Sequence, residues 1–312
     1  MCTVKFLVLL RLHPQAGIVR EAVAAAEAKG FVPYRRGMEL KAGDRVYTCN
    51  RGKGLMLAVM GRESLAEGVQ IAAAHIDSPR LDLKPNPLYE DSGLAYFKTH
   101  YYGGIRKYQW VTIPLQLRGV VVKKDGSTVE VCIGEGEEPK LVITDLLPHL
   151  GGEQGKKPLS EAIPGETLNL LLGSCPIGDE DDKDRVKLHV MKRLHEKYGI
   201  TESDFASAEL EAVPAAESKA ALRGRLDIGT RDKTAVCVLA DKEEIGSMGV
   251  TGMQSAAFDA FMTDLCDGQG VPLRVCYENA FCLSADVTAA YDPPHTAVLS
   301  GVPMSSSARS AA

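Results

Sequence analysis

Apolar residues recur along this chain in two rhythms. In "GIVREAVAAAEAKGF" (Gly17–Phe31), Ile18, Ala22, Val23 and Ala26 share one helical face and Lys29-Gly30 supplies a stop, which predicts an amphipathic helix. From Leu55 the apolar runs become short and nearly continuous, as "GLMLAVMG" and then "GVQIAAA" running into His75. Such runs predict strands buried on both faces of a helix-flanked sheet. After Pro87 apolar and polar residues alternate. "QWVTIPLQLRGVVVKKDGSTVEVCIG" carries Asp125-Gly126 between two Val-rich stretches and predicts a β-hairpin, and "PKLVITDLL" adds another strand. "DRVKLHVMKRLHEKYG" places Val186, Val190 and Leu194 on one helical face and closes with Gly199. From Lys233 the first rhythm returns. "TAVCVLA" (Thr234–Ala240) predicts a buried strand, "TGMQSAAFDAFMTDL" (Thr251–Leu265) a helix, and "ENAFCLSA" (Glu278–Ala285) a further buried strand.

Strand, helix, strand implies a parallel α/β sheet. The expected organisation is a discontinuous α/β domain over residues 1–88 and 215–300, interrupted by a β-rich insertion over 89–214. Residues 301–312, rich in Ser and Ala, carry no core-forming pattern and predict a disordered tail. At 312 residues the chain buries a large core without needing disulfides to fold. Its net charge of −5 argues against a nucleic-acid binder, which would show a basic face. The eight cysteines form no CxxC, a usage expected of reduced thiols in the cytoplasm. "MCTVKFLVLLRLHP" is too short an apolar run for a secretory signal, and no segment reaches the length of a membrane span.

Three of the predicted strands end in residues that bind hard or borderline cations. "IAAA" ends in His75-x-Asp77, "TAVCVLA" ends in Asp241-Lys242-Glu243-Glu244, and "AFCLSA" ends in Asp286. In parallel α/β sheets the carboxyl ends of the strands form the crevice where ligands sit. One imidazole with two or more carboxylates suits zinc or manganese. Residues two apart in an extended segment point the same way, so Asp77 reaches behind His75 to accept its other ring N–H. Adjacent Glu243 and Glu244 are expected to point apart, one binding metal and the other serving as general base on water. The other histidines carry less. His100 reads as a loop or structural residue, His189 as packed, and His195 as a favourable charge at a helix C-terminus. "GDEDDKD" (Gly178–Asp184) lacks the spacing of a calcium loop and reads as a solvated turn. Cys237 and Cys282 read as core residues of buried strands.

"HIDSPRLDLKP", "YYGGIRKYQW", "VLADKEEIGSMGVTGMQS" and "SADVTAAYDPP" together resemble the aspartyl aminopeptidase family of co-catalytic zinc aminopeptidases, in family order and over roughly Gly30 to Pro293. The resemblance implies an α/β peptidase domain interrupted by a β-rich dimerisation domain, and homo-oligomers. It implies His75, Glu244 and Asp286 as zinc ligands, Asp77 as the carboxylate orienting His75, and Glu243 as general base. It also implies that His149 of the insertion reaches the substrate site of a neighbouring subunit. The substrates implied are peptides, from which acidic or neutral N-terminal residues are removed.

The chain departs from the family pattern in two places. The family's metal-bridging aspartate lies in a segment here compressed to "AALRGRLDIGTRDKTAV", where Asp227 and Asp232 are the nearby carboxylates. The family's last zinc ligand is a histidine, and the setting of His295, just past the final motif, does not resemble it. Two zinc ions per subunit in the family thus become one site, or none, in this chain. The leading expectation is a zinc aminopeptidase, impaired to that extent. The alternative is a non-catalytic family member that assembles with complete subunits. A related zinc amide hydrolase such as a deacylase is a third, disfavoured by the "YYGG" block and the insertion.

Overall fold

The computed structural model describes residues 15–215 and 232–286, together with the strands Val4–Leu7 and Arg223–Leu226. Asp227, His295 and the expected tail over 301–312 lie outside the described residues. In chain order the first strands are β1 (Val4–Leu7), β2 (Val32–Pro33), β3 (Arg45–Asn50), β4 (Gly54–Val59), β5 (Val69–His75), β6 (Arg80–Asp91) and β7 (Leu94–Tyr102). Then come β8 (Leu115–Val122), β9 (Thr128–Ile133), β10 (Val142–Ile143), β11 (Leu170–Gly173), β12 (Ala208–Pro214), β13 (Arg223–Leu226), β14 (Thr234–Ala240) and β15 (Phe281–Ala285). The helices are α1 (Gln15–Glu27), α2 (Lys107–Trp110), α3 (Leu159–Ala162), α4 (Arg185–Tyr198), α5 (Ala257–Asp267) and α6 (Leu273–Glu278).

One sheet has the order β15-β5-β14-β4-β3-β2. Its centre is parallel as expected, with β5 running parallel to both β14 and β15. The hairpin of β3 and β4, whose turn uses positive φ at Arg51 and Gly52, departs from that pattern, while the short β2 pairs parallel with β3. A hairpin delivers antiparallel neighbours, and β4 also pairs antiparallel with β14. Alternate residues of β14 serve two cores. Val236 and Val238 pack with Phe261, Met262 and Leu265 of α5, while Cys237 and Leu239 pack with Val19 of α1. This α/β layering is the predicted class of fold.

The second sheet, β10-β11-β7-β6-β12-β8-β9, is antiparallel throughout. The hairpin expected at Asp125-Gly126 is β8–β9, with Gly126 at φ +82°. Leu194 of α4 and Phe205 cover a core containing Leu81, Phe97 and Leu117, with Phe97 and Phe205 edge to face at 5.4 Å. Gly199 ends α4 in the left-handed region and donates its N–H to His195 O, as the sequence predicts.

Three expectations need correction. The second sheet begins at Arg80, ahead of the boundary expected at 88–89. Pro85 and Pro87 sit where the β6–β7 register shifts, between Leu83 and Leu88, so a bulge inside one strand mimics a boundary in the sequence. The helix expected from Thr251 starts at Ala257, because Gly252 bridges to Asp241 and Thr251 Oγ1 donates to Asp241 Oδ2 at 2.5 Å. Finally β15, Cys282 included, is exposed along its length. Among the described residues it lies at the sheet edge, flanked by β5 alone.

Candidate metal centre

In the parallel register of β5, β14 and β15, His75 lies opposite Ala240 and Ala74 opposite Ala285. The three strands therefore finish side by side, and the residues that follow them meet. His75 Nε2 lies 3.3 Å from Asp286 Oδ1. One donor atom each from His75, Glu243 and Glu244 lies within 4.8 Å of the others. Glu243 and Glu244 do not point apart as expected, because Glu243–Ile245 is a 3-10 turn and not a continuation of the strand. Left-handed backbone at Lys242 (φ 66°) and Gly246 (φ 92°) brackets that turn and aims both carboxylates at His75. Such backbone at a non-glycine residue is strained, and the surrounding structure must hold it.

Asp77 is the hub beneath these groups, its side chain fully buried. His75 Nδ1 lies 3.0 Å from the Asp77 carbonyl oxygen and 3.3 Å from its Oδ1. Both neighbours are acceptors, so Nδ1 carries a proton, and Nε2, which faces the Asp286 carboxylate, is the ring nitrogen turned toward the cluster. The carboxylate also accepts the backbone N–H of Glu243 on Oδ1 and of Glu244 on Oδ2, each at 3.1 Å. It thereby fixes the ring and the turn together. Burial pulls the His75 pKa down, but the Asp77 charge and the contact with Asp286 outweigh it, and the net shift is upward. Burial raises the Glu244 pKa, with the negative Asp77 and Glu243 adding to it against the lowering pull of His75.

Sequence reasoning passed over the residues that close the site from the second sheet. Tyr102, at the end of β7, donates its hydroxyl to Asp77 Oδ2 at 2.8 Å. Gly103 follows at φ +72°, and a Cβ there would lie 2.9 Å from Glu244 Oε2. The Gly104 backbone opposes the rise in the Glu244 pKa. The available signal was "YYGG", a hydroxyl followed by two residues without side chains at the end of an alternating strand. His149 is not brought into this cluster. It lies exposed in the loop after β10, at the far edge of the second sheet. Asp232 is not brought in either. It pairs with Arg62 at 2.6 Å, beyond the start of β14 and so at the opposite end of that strand from Glu243.

Parallel strand ends that converge an oriented imidazole and several carboxylates are an arrangement that could hold a metal ion, as metallohydrolase centres do. The comparisons with known proteins narrow that class. Residues 18–225 and 220–300 match the family model described as aminopeptidase I zinc metalloprotease (M18), and the chain belongs to this family of hydrolases. The two matched parts overlap at residues 220–225. A probable M18 family aminopeptidase 1 from Clostridium acetobutylicum is 46% identical over 311 residues, spanning 90% of this chain and 67% of the relative. The corresponding Thermotoga maritima protein is 41% identical over 308 residues, spanning 89% and 66%. The crystal structure of an M18 aminopeptidase from T. maritima superposes with a TM-score of 0.82 at 38% identity, covering 90% of this chain and 67% of that one. A structure described as the S. cerevisiae mApe1 dodecamer shares the fold at 18% identity, with a TM-score of 0.68, covering 91% of this chain and 70% of that one. The chain thus spans about two thirds of the length of these aminopeptidase 1 relatives.

Proposed function

We propose that this chain is a zinc-dependent aminopeptidase that removes acidic or neutral N-terminal residues from peptides. The observation that carries the reading is the meeting of His75, Glu243, Glu244 and Asp286 at the ends of β5, β14 and β15. The donor set fits zinc: one imidazole with a committed tautomer, and carboxylates within a single ion's reach. His75, Glu244 and Asp286 would hold the ion, which when bound supplies Lewis-acid polarisation of water and of the substrate carbonyl. Glu243 takes the proton from the attacking water and returns it to the leaving amine. Asp77 keeps His75 in the tautomer that leaves Nε2 available. Negative carboxylates around the centre attract a free N-terminal ammonium, which favours cleavage at the first peptide bond.

Homo-oligomers fit the exposed Leu146, Leu147 and Leu150 beside His149, an apolar loop suited to a neighbouring subunit. His149 is then the residue offered to that subunit's substrate. Cytoplasmic residence fits the free state of all seven described cysteines. Among the described residues no helix is long and apolar enough to cross a membrane.

The test is hydrolysis of Asp-, Glu- and Leu-linked chromogenic substrates with added zinc, manganese or cobalt, alongside metal analysis. Turnover with at most one tightly held ion per chain is expected. The compressed bridging-aspartate interval favours a second reading, a non-catalytic member that assembles with complete subunits. Absence of turnover with every metal, together with co-assembly with a full-length relative, would select it.

A further inference from the structure

The β-rich insertion also bears on the metal centre of its own chain. We propose that Tyr102, backed by Arg80, is a positioning residue of that centre: the second sheet holds Asp77, and through Asp77 it holds His75 and the Glu243–Glu244 turn. This rests on the metal-centre reading above and adds to it a role for the insertion within one chain.

The Asp77 carboxylate offers about four lone-pair directions. Oδ1 faces His75 Nδ1 and the Glu243 N–H, and Oδ2 faces the Glu244 N–H and the Tyr102 hydroxyl. Three of these contacts are hydrogen bonds, and the fourth, to His75 Nδ1 at 3.3 Å, is a charge contact, since the Nδ1 hydrogen bond goes to the Asp77 carbonyl oxygen; a shift of Asp77 would therefore disturb the imidazole and both glutamates at once. Three of the four partners belong to the first sheet or its strand ends. Tyr102 alone comes from the second, and at 2.8 Å it is the shortest contact the carboxylate makes.

Tyr102 is itself held. Its cross-strand partner on β6 is Arg80, and the two are paired in register. The Arg80 guanidinium lies 3.7 Å from the centroid of the Tyr102 ring. Arg80 Nε is fixed by Asp82 Oδ1 at 2.7 Å and by Glu211 Oε1 at 3.3 Å. Arg80 Nη1 is buried without a hydrogen-bond partner among the described residues. The flat face of the guanidinium lies over the ring, a stacked arrangement that holds the phenol in place. Its positive charge above the phenol polarises the O–H toward Asp77. Strands β6, β7 and β12 thus each contribute to one line of contacts, Glu211–Arg80–Tyr102–Asp77–His75.

Titration of the full chain with cobalt(II) chloride, followed by its visible absorption, tests the line without relying on turnover. Tyr102→Phe keeps the stacked ring and removes only the hydroxyl. Arg80→Met/Glu211→Met removes the stack as a neutral pair, and His75→Ala serves as reference. We expect His75→Ala to abolish the cobalt spectrum. Tyr102→Phe should keep a wild-type circular dichroism spectrum, weaken the cobalt Kd about tenfold and shift the absorption band, since partners behind a metal-binding histidine commonly matter to that extent. The double variant should change in the same direction, and Tyr102→Phe decides alone if that variant does not fold. Wild-type affinity and spectrum in a folded Tyr102→Phe, with cobalt lost in His75→Ala, would overturn this inference and leave the metal centre standing. Wild-type binding in His75→Ala would overturn both.

Discussion

Glu211 sits between Arg80 and Asp82 with almost no access to water. Burial raises its pKa from 4.5 to about 7, with Asp82 and Glu209 adding to the rise and Arg80 opposing it. A carboxyl whose folded-state pKa is raised holds its proton in the native state while the unfolded chain has already released it. Stability therefore falls as pH rises from 4.5 to about 7 and levels off above that. Glu211→Gln removes this dependence, and its Tm plotted against pH should be flatter than wild type across that window. Glu243 calls for a different substitution. If it carries the proton and Glu244 the ion, Glu243→Gln abolishes peptidase turnover while zinc content by elemental analysis stays at the wild-type level. Loss of both together would reassign Glu243 as a ligand.

At the scale of elements, the end of β14 depends on one hydroxyl. Asp241 is 1% exposed, Thr251 Oγ1 serves its Oδ2, and its Oδ1 has no hydrogen-bond partner among the described residues. Thr251→Val leaves both oxygens unserved. It should destabilise the chain by about 1–3 kcal/mol in denaturant unfolding, and weaken metal binding because Asp241 leads directly into the Glu243–Glu244 turn. The same pair shows where sequence was informative and where it was not. The apolar runs of β5 and β14, and the histidine and carboxylates at the ends of both strands and of β15, are local patterns, and so was the Asp125-Gly126 hairpin. The start of α5 was misplaced because Thr251 has its partner ten residues back on another element, which no helical periodicity records. The buried strand expected at β15 was wrong in burial, since exposure depends on which neighbours a strand acquires in the sheet. Neither could the orientation of Glu243 and Glu244 be read, because alternation of side chains holds for strands and fails in a 3-10 turn. Tyr102 went unnoticed for a related reason. Its hydroxyl meets Asp77 across a separation of 25 residues, through a pairing of strands that the sequence does not spell out.

For the whole molecule, the role proposed for His149 would connect chemistry to assembly. If His149 serves a neighbour's site, His149→Ala and Glu243→Gln are each inactive alone. Mixed subunits, unfolded and refolded together, should regain part of the activity, because some sites then combine an intact Glu243 with a neighbour's intact His149. No recovery, with mixed oligomers verified by mass, would count against a shared site. Within one chain the two sheets are also tied at their surfaces, Arg20 of α1 pairing with Glu130 of β9 and Lys53 with Glu209 of β12. Exposed pairs like these contribute little alone.

The short passage from β5 to β6 matters more. Only Ile76 to Pro79 separate the two strands, and Asp77 is one of those four residues. So brief a link leaves no slack for one layer to melt while its companion stays intact, since either event would strip hydrogen bonds from the same carboxylate. Heat should then take the chain apart in a single step, with calorimetric and van't Hoff enthalpies in agreement. Two resolved endotherms would show that the layers come apart separately.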